Sequence, residues 1–263
     1  MIGIKTAIIL CGGTGSRLGA IGKKIPKTLL LVQKKPILWY ILKELILKHN
    51  FNHFILPIGH KGKMIKNYIN KNFTKNNSKI YFDVIDTGKK TSISKRIYKV
   101  SNKILSEHFL LLNGDAIFDF SLEQIFKNHV NKKLDLTMLT CSVVSPFGVV
   151  ISKNNKPIDF KRDMIYDSIF LSGNNISGEI FTGMSIIKTS LLKKINFKDF
   201  NNFETNFYPN ILKKKKYLKV SKKIKGFWYA MDNIKQVNDT NILKNKNYIS
   251  NRIKIIKNRF NEK

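Results

Sequence analysis

Three glycines fall within four residues, at Gly12, Gly13 and Gly15, in the segment Cys11-Gly12-Gly13-Thr14-Gly15-Ser16-Arg17-Leu18. A backbone this open lets a ligand approach closely and exposes its N–H groups, which suits a phosphate chain. Two common phosphate loops are excluded by spacing. A Walker loop ends glycine-lysine-serine/threonine, whereas Gly22-Lys23 is followed by Lys24. A dinucleotide fingerprint needs a third glycine where Leu18 stands and an acidic residue about 20 positions later. Arg17 and then Pro26-Lys27 follow the loop instead. An arginine and a lysine beside such a loop would neutralise phosphate charge and the charge that builds up as a phosphate leaves.

Two carboxylates complete the set. Phe109-Leu110-Leu111-Leu112-Asn113-Gly114-Asp115 is an apolar run ending in Gly-Asp, which places Asp115 at the carboxyl end of a strand, beside the loop. Asp232 closes Gly226-Phe227-Trp228-Tyr229-Ala230-Met231-Asp232. Both stand at strand ends, far apart in sequence, and can share one cation with phosphate and water as further ligands. Trp228 reads as core. His49, His53, His60, His108 and His129 show no metal spacing and read mostly as surface or strand-edge residues. Cys11 and Cys141, the only cysteines, are too few for a disulfide framework or zinc cluster and read as buried thiols.

These residues need a scaffold, and the first half supplies one. Strand-like Lys5 to Cys11, His53 to Ile58, Lys79 to Ile85, His108 to Leu112 and Leu134 to Cys141 alternate with helix-like Pro36 to His49, Lys61 to Phe73 and a helix opened by Ser121. Gln124 completes a capping-box pattern with Ser121. Such alternation predicts an α/β fold: βαβ units on a mainly parallel sheet with helices on both faces, Rossmann-like in three layers. Beyond Ser142 a hairpin turns at Asn154-Asn155, and Ile180 to Lys188 is a further strand. We expect one domain over residues 1–240, with the glycine-loop half at 1–141 and a β-rich, substrate-side half at 142–240. Residues 241–263 read as a basic, helical tail.

The chain has 263 residues, 43% of them hydrophobic, enough for a full core. No apolar run is long enough for a membrane span, and the start lacks the pattern of a signal peptide. A cytoplasmic protein with no membrane partner is expected. Net charge is +31, yet the lysines spread along the whole chain, and runs such as Lys213 to Lys216 are short. Compositional bias explains this better than a nucleic-acid surface, so no nucleic-acid partner is expected.

Gly-Gly-x-Gly-x-Arg-Leu, then Pro26-Lys27, then Lys35-Pro36-Ile37-Leu38 resembles the signature of the sugar-phosphate nucleotidyltransferases. The resemblance runs from about Lys5 to about Val237. It implies the nucleotidyltransferase fold and transfer of a nucleotide from a triphosphate to a sugar 1-phosphate, with release of pyrophosphate. It also implies Mg²⁺ held by Asp115 and Asp232, a homo-oligomer, and a product used for surface glycans. Catalytic roles would fall to Arg17, Lys27, Asp115 and Asp232. The nucleotide site would comprise Cys11, Gly12, Gly13, Thr14, Gly15, Ser16, Arg17, Lys27, Thr87, Gly88, Thr91 and Gly114. Lys161, Arg162, Thr182 and Gly183 would face the sugar phosphate.

Asp86-Thr87-Gly88-Lys89-Lys90-Thr91, Trp39-Tyr40 and Gly59 to Gly62 are similar to the glucose-1-phosphate cytidylyltransferase branch, which implies CTP. Three features depart from that branch. Ser94-Lys95 stand before Arg96 in place of two glycines. Lys161-Arg162-Asp163 occupy the place of a Glu-Lys pair, and Thr182-Gly183-Met184 that of Asn-Gly-Gly. Asn113-Gly114-Asp115 is closer to heptose or mannose phosphate guanylyltransferases. The alternatives are a guanylyl- or uridylyltransferase, or a regulatory homologue that binds nucleotide-sugar without turnover.

Overall fold

The computed structural model describes residues 4–74, 79–144, 149–161, 164–166, 169–170, 177–194, 202–241 and 248–261. Its centre is a seven-stranded sheet. In chain order the sheet strands are β1 (Thr6–Leu10), β2 (His53–Ile58), β3 (Tyr81–Asp86), β4 (His108–Asn113), β6 (Leu136–Cys141), β7 (Ile180–Lys188) and β8 (Lys219–Lys223). Two further strands, β5 (Ala116–Phe120) and β9 (Gly226–Ala230), pair antiparallel as a separate ribbon. The sheet order is β8-β6-β7-β4-β1-β2-β3, and only β7 runs against its neighbours.

The continuous apolar runs of β1 and β4 follow from burial on both faces. Successive side chains point to opposite sides of the sheet. Ala7, Ile9, Leu110 and Leu112 enter one core with Leu38, Ile41 and Leu42 of α1 (Ile37–Lys43) and Ile65 and Ile69 of α2 (Gly62–Ile69). Ile8, Phe109 and Leu111 enter a second core. There they meet Ile97 and Val100 of α3 (Ile93–Val100), with Phe207 just before α5 (Tyr208–Lys213) and Ile211 within it. Helices therefore cover both faces, as the alternation predicts. The chain closes with α6 (Ile234–Asn241) and α7 (Tyr248–Asn261). The hairpin forms as expected between Val149–Lys153 and Lys156–Lys161, with Asn154 and Asn155 at φ 52° and 62°. These are left-handed values that asparagine tolerates in a two-residue turn.

Two local expectations are corrected. Ser121 stands at the N-cap of α4 (Leu122–Asn131), but its side chain makes no cap hydrogen bond, so the capping box does not form. Its ψ of 84° falls short of the extended backbone that aims such a hydroxyl at the helix. Four of the five histidines are buried rather than superficial: His49, His53, His108 and His129. Three of these imidazoles find hydrogen-bond partners inside the fold. His129 Nδ1 lies 2.8 Å from Thr137 Oγ1, and its Nε2 lies 3.0 Å from His108 Nδ1. His53 sits 3.0 Å from both Thr6 Oγ1 and Asp83 Oδ2. Among the described residues, no helix is long and apolar enough to cross a membrane.

Candidate active site

In open α/β sheets the ligand crevice lies outside the carboxyl ends of the strands, where chain connections part to either side. Here that point is β1, flanked by β4 and β2. The loop Cys11 to Gly15 leaves β1, and Asn113-Gly114-Asp115 leaves β4 beside it, with Gly114 N donating to Leu10 O at 3.2 Å. Between them opens a cleft of about 560 Å³. Its lining includes Cys11 to Gly15, Lys27, Thr28, Lys89 to Ser92, Arg96 and Asn113 to Asp115.

Close approach explains the glycines. A Cβ on Gly12 would stand 2.3 Å from an Arg96 guanidinium nitrogen, whereas one on Gly13 would meet nothing within 4 Å. Gly15 takes φ +64°, a left-handed value. Gly12 thus makes room for Arg96, and Gly13 leaves backbone open to the cleft. Thr28 Oγ1 is buried in this wall with no partner among the described residues.

Lys27 Nζ donates to Asp115 Oδ2 at 2.5 Å and to Asp232 Oδ1 at 2.8 Å. Burial alone would lower the Lys27 pKa, but the charge and hydrogen bonds of Asp115, then Asp232, hold it above its usual value. Asp115 reaches this point from the end of β4. Asp232 reaches it from the end of β9, where Met231 N donates to Asp115 O at 3.0 Å. The Cys11 thiol is pushed far up by burial and then by Asp115, so it remains protonated and inert. No group of three or more His, Cys, Asp or Glu among the described residues is arranged to hold a metal. The Asp115–Asp232 pair nevertheless already meets on one cation, the Lys27 ammonium. Two carboxylates completed by phosphate and water are a donor set that fits Mg²⁺.

The other sequence-predicted residues are placed less uniformly. Ser16 and Arg17 are exposed on the helical turn after the loop and do not line the cleft. Thr91 lines it, while Thr87 and Gly88 stand behind it. Thr87 Oγ1 donates to Ile58 O at 2.8 Å and accepts from Arg96 at 2.5 Å. Gly183, at φ +74°, packs against Asn113, where an added Cβ would come within 2.5 Å of the amide nitrogen. Thr182 is buried and donates to Leu139 O. Lys161 is exposed on the hairpin and pairs with Asp159 at 3.4 Å. Arg162 lies outside the described residues. His60 bonds Gly22 O at 3.2 Å, away from the lining.

Sequence reasoning passed over Arg96. It is buried in the cleft wall and donates to Ile58 O, Thr87 Oγ1 and Lys89 O. Its place shortly after Thr91 was the available signal. Trp228 is half-buried and packs against the main core, as its reading as a core residue expects. It lines a second cleft of about 340 Å³ with Val143, Ile180, Tyr229, Asp232 and Tyr248. Asp232 therefore borders this second cleft while bonding the lysine of the first.

Residues 6–160 match the family model of the nucleotidyl transferases. The chain belongs to the nucleotidyl transferase family. Among its relatives it is 30% identical to a probable glucose-1-phosphate cytidylyltransferase of Bacillus subtilis, over 89% of this chain and 94% of that one. It is 28% identical to a D-glycero-α-D-manno-heptose 1-phosphate guanylyltransferase of Aneurinibacillus thermoaerophilus, over 80% and 86%. The fold is shared with HddC of Yersinia pseudotuberculosis, crystallised with GMP-PN, at a TM-score of 0.63 and 20% identity, covering 89% of this chain and 97% of that one.

Proposed function

We propose that this nucleotidyltransferase moves a nucleotidyl group from CTP to a sugar 1-phosphate, with glucose 1-phosphate the first candidate, and releases pyrophosphate. The observation that carries the reading is the meeting of Asp115, Asp232 and Lys27 where the glycine-loop cleft adjoins the second cleft. The triphosphate lies over Gly12 to Gly15, and the sugar phosphate enters from the side of Trp228 and Asp232. An acceptor phosphate oxygen attacks the α-phosphorus, the bond to the bridging oxygen breaks, and pyrophosphate departs with the electron pair. No histidine base is needed, because the nucleophile is already an anion. Asp115 and Asp232 would hold Mg²⁺, which would supply neutralisation of phosphate charge. Lys27 exchanges its carboxylate contacts for phosphate contacts, and Arg17 closes over the leaving pyrophosphate from its exposed turn. Thr182, Gly183, Lys161 and Arg162 are assigned to the sugar-phosphate side, within the 142–240 half. The reaction belongs in the cytoplasm, where nucleoside triphosphates are available.

CTP is favoured by the 30%-identical relative and by the segment Asp86 to Thr91 with Arg96. GTP is the second reading, on the strength of Asn113 and the guanylyltransferase relative. A site built to pair with base-edge groups rejects the wrong base strongly. Pyrophosphate release over CTP, GTP, UTP and dTTP with glucose, mannose and heptose 1-phosphates tests both levels. We expect CTP to lead in kcat/KM by tenfold or more. A tenfold lead for another triphosphate, about 1.4 kcal/mol in the transition state, overturns the base. Nucleotide-sugar binding without pyrophosphate release from any pair overturns the enzyme reading.

A further inference from the structure

Helix α7 lies beyond the family match and has no part in the chemistry above. It is nonetheless built into the molecule. Ile253, Ile256 and Phe260 are buried in the main core, and Phe260 meets Trp39 edge-on at 6.0 Å. Gln33 Nε2 donates to Ser250 O at 2.8 Å and to Thr240 O at 3.2 Å, tying α7 and α6 to the turn before α1.

Two arginines of α7 converge on one residue. Arg259 grips both oxygens of Asp119, at 3.0 and 2.9 Å. Lys48 donates to Asp119 Oδ1 at 2.5 Å, and Arg252 approaches Oδ2 at 3.5 Å. Asp119 is only 9% exposed. Burial alone would raise its carboxyl, but hydrogen bonds from Arg259 and Lys48 hold it well below the usual carboxylate range. A two-pronged arginine–carboxylate pair fixes orientation as well as distance.

The location gives this clamp its meaning. Asp119 lies on β5, directly opposite Phe227 on β9, and the Arg252 guanidinium stands 6.0 Å over the Phe227 ring. So α7 holds both strands of the β5–β9 ribbon. That ribbon packs on the main core through Ile117, Phe118, Phe120 and Phe227 but shares no ladder with the seven-stranded sheet, and two strands paired alone twist more than strands within a wide sheet. Asp115 immediately precedes β5, and Asp232 follows β9 by two residues. The first turn of α7 adds Tyr248 and Ile249 to the cleft that Asp232 borders.

We infer that Arg259 and Arg252 are positioning residues. By holding β5 through Asp119 and β9 through Phe227, they set the separation at which Asp115 and Asp232 share a cation. The inference rests on the reading of those two aspartates as the metal-holding pair.

The test compares the full-length chain with Arg259→Gln, with Arg252→Gln, whose longer contact makes it the milder change, and with Arg259→Lys. Amide exchange is followed by mass spectrometry over residues 115–120 and 226–232, and Mn²⁺ affinity by electron paramagnetic resonance. In Arg259→Gln we expect exchange across the ribbon to rise tenfold or more and Mn²⁺ affinity to fall at least fivefold. Exchange in Thr6 to Gly15 and metal-free nucleotide affinity should stay at wild-type values, and Arg259→Lys should recover most of the loss. A merely structural helix would lower the melting temperature and leave ribbon exchange and Mn²⁺ affinity unchanged, which overturns the clamp. A wild-type chain that binds no Mn²⁺ overturns the metal reading, and the positioning role falls with it whatever the ribbon does.

Discussion

Replacing Lys27 with methionine keeps the apolar stem and removes the ammonium that Asp115 and Asp232 share. The Asp115 contact is the stronger: 2.5 Å, with the two side chains 19% and 24% exposed. A charge-assisted hydrogen bond of this kind contributes about 1.5 kcal/mol. The Asp232 contact, at 2.8 Å with that aspartate 48% exposed, is screened by solvent and contributes about 0.5 kcal/mol. A divalent cation entering the wild-type site must displace both, about 2 kcal/mol, or roughly 30-fold in affinity. Lys27→Met should therefore bind Mn²⁺ about 30-fold more tightly in the absence of nucleotide, read by electron paramagnetic resonance titration. Turnover should move the other way, falling at least about a hundredfold, because the cation proposed to meet the departing pyrophosphate is gone. The two opposed changes separate competition for one site from plain damage. Unchanged or weaker Mn²⁺ binding in Lys27→Met would refute the shared cation site.

Asp115→Asn and Asp232→Asn should each cut turnover at limiting Mg²⁺ by at least about a hundredfold with an unchanged circular dichroism spectrum, since each removes one charged ligand of the proposed metal site; near-normal rates in both would remove the metal role. Gly12→Ala places a methyl 2.3 Å from the Arg96 guanidinium, so Arg96 must leave its bonds to Ile58 O and Thr87. Triphosphate affinity, measured by calorimetry, should fall about tenfold, and wild-type affinity would show that Arg96 does not shape the cleft. His129 is pushed down to about 4 by burial, with His108 and Lys188 adding to it. An ordinary histidine titrates near 6.5, so the unfolded chain binds the extra proton first, and stability falls with pH from about 6.5 toward 4. Stability to urea should drop by about 2 kcal/mol between pH 7.5 and pH 5, less so in His129→Gln; equal slopes in the two proteins would exclude His129 as the cause.

The fold class and the glycine-loop wall of the candidate cleft were legible because their signals are local. A fully buried parallel strand needs a continuous apolar run, and β1 and β4 provide it between short polar breaks. The glycines at 12, 13 and 15 answer to backbone geometry within the same few residues, so their spacing already points to a phosphate cradle. The hairpin at Asn154-Asn155 and the strand Ile180–Lys188 were likewise readable from turn chemistry and pattern. What the linear pattern left open depends on distances between segments far apart in the chain. Lys27 meets Asp232 across 205 positions, and Arg259 meets Asp119 across 140. Arg96 looked like the end of a loop motif until the fold buried it against Gly12. The histidines looked superficial because a polar side chain gives no sign in sequence that a threonine or a second histidine waits inside to satisfy it. Charge was the least informative local signal: +31 spread along the chain does not distinguish a solvated lysine from one held between two carboxylates. Residue types and short spacings show which chemical groups are on offer, while the approach of remote strand ends sets Lys27 between Asp115 and Asp232 and packs α7 against Asp119. Such contacts form only when buried area and chain topology bring those segments together.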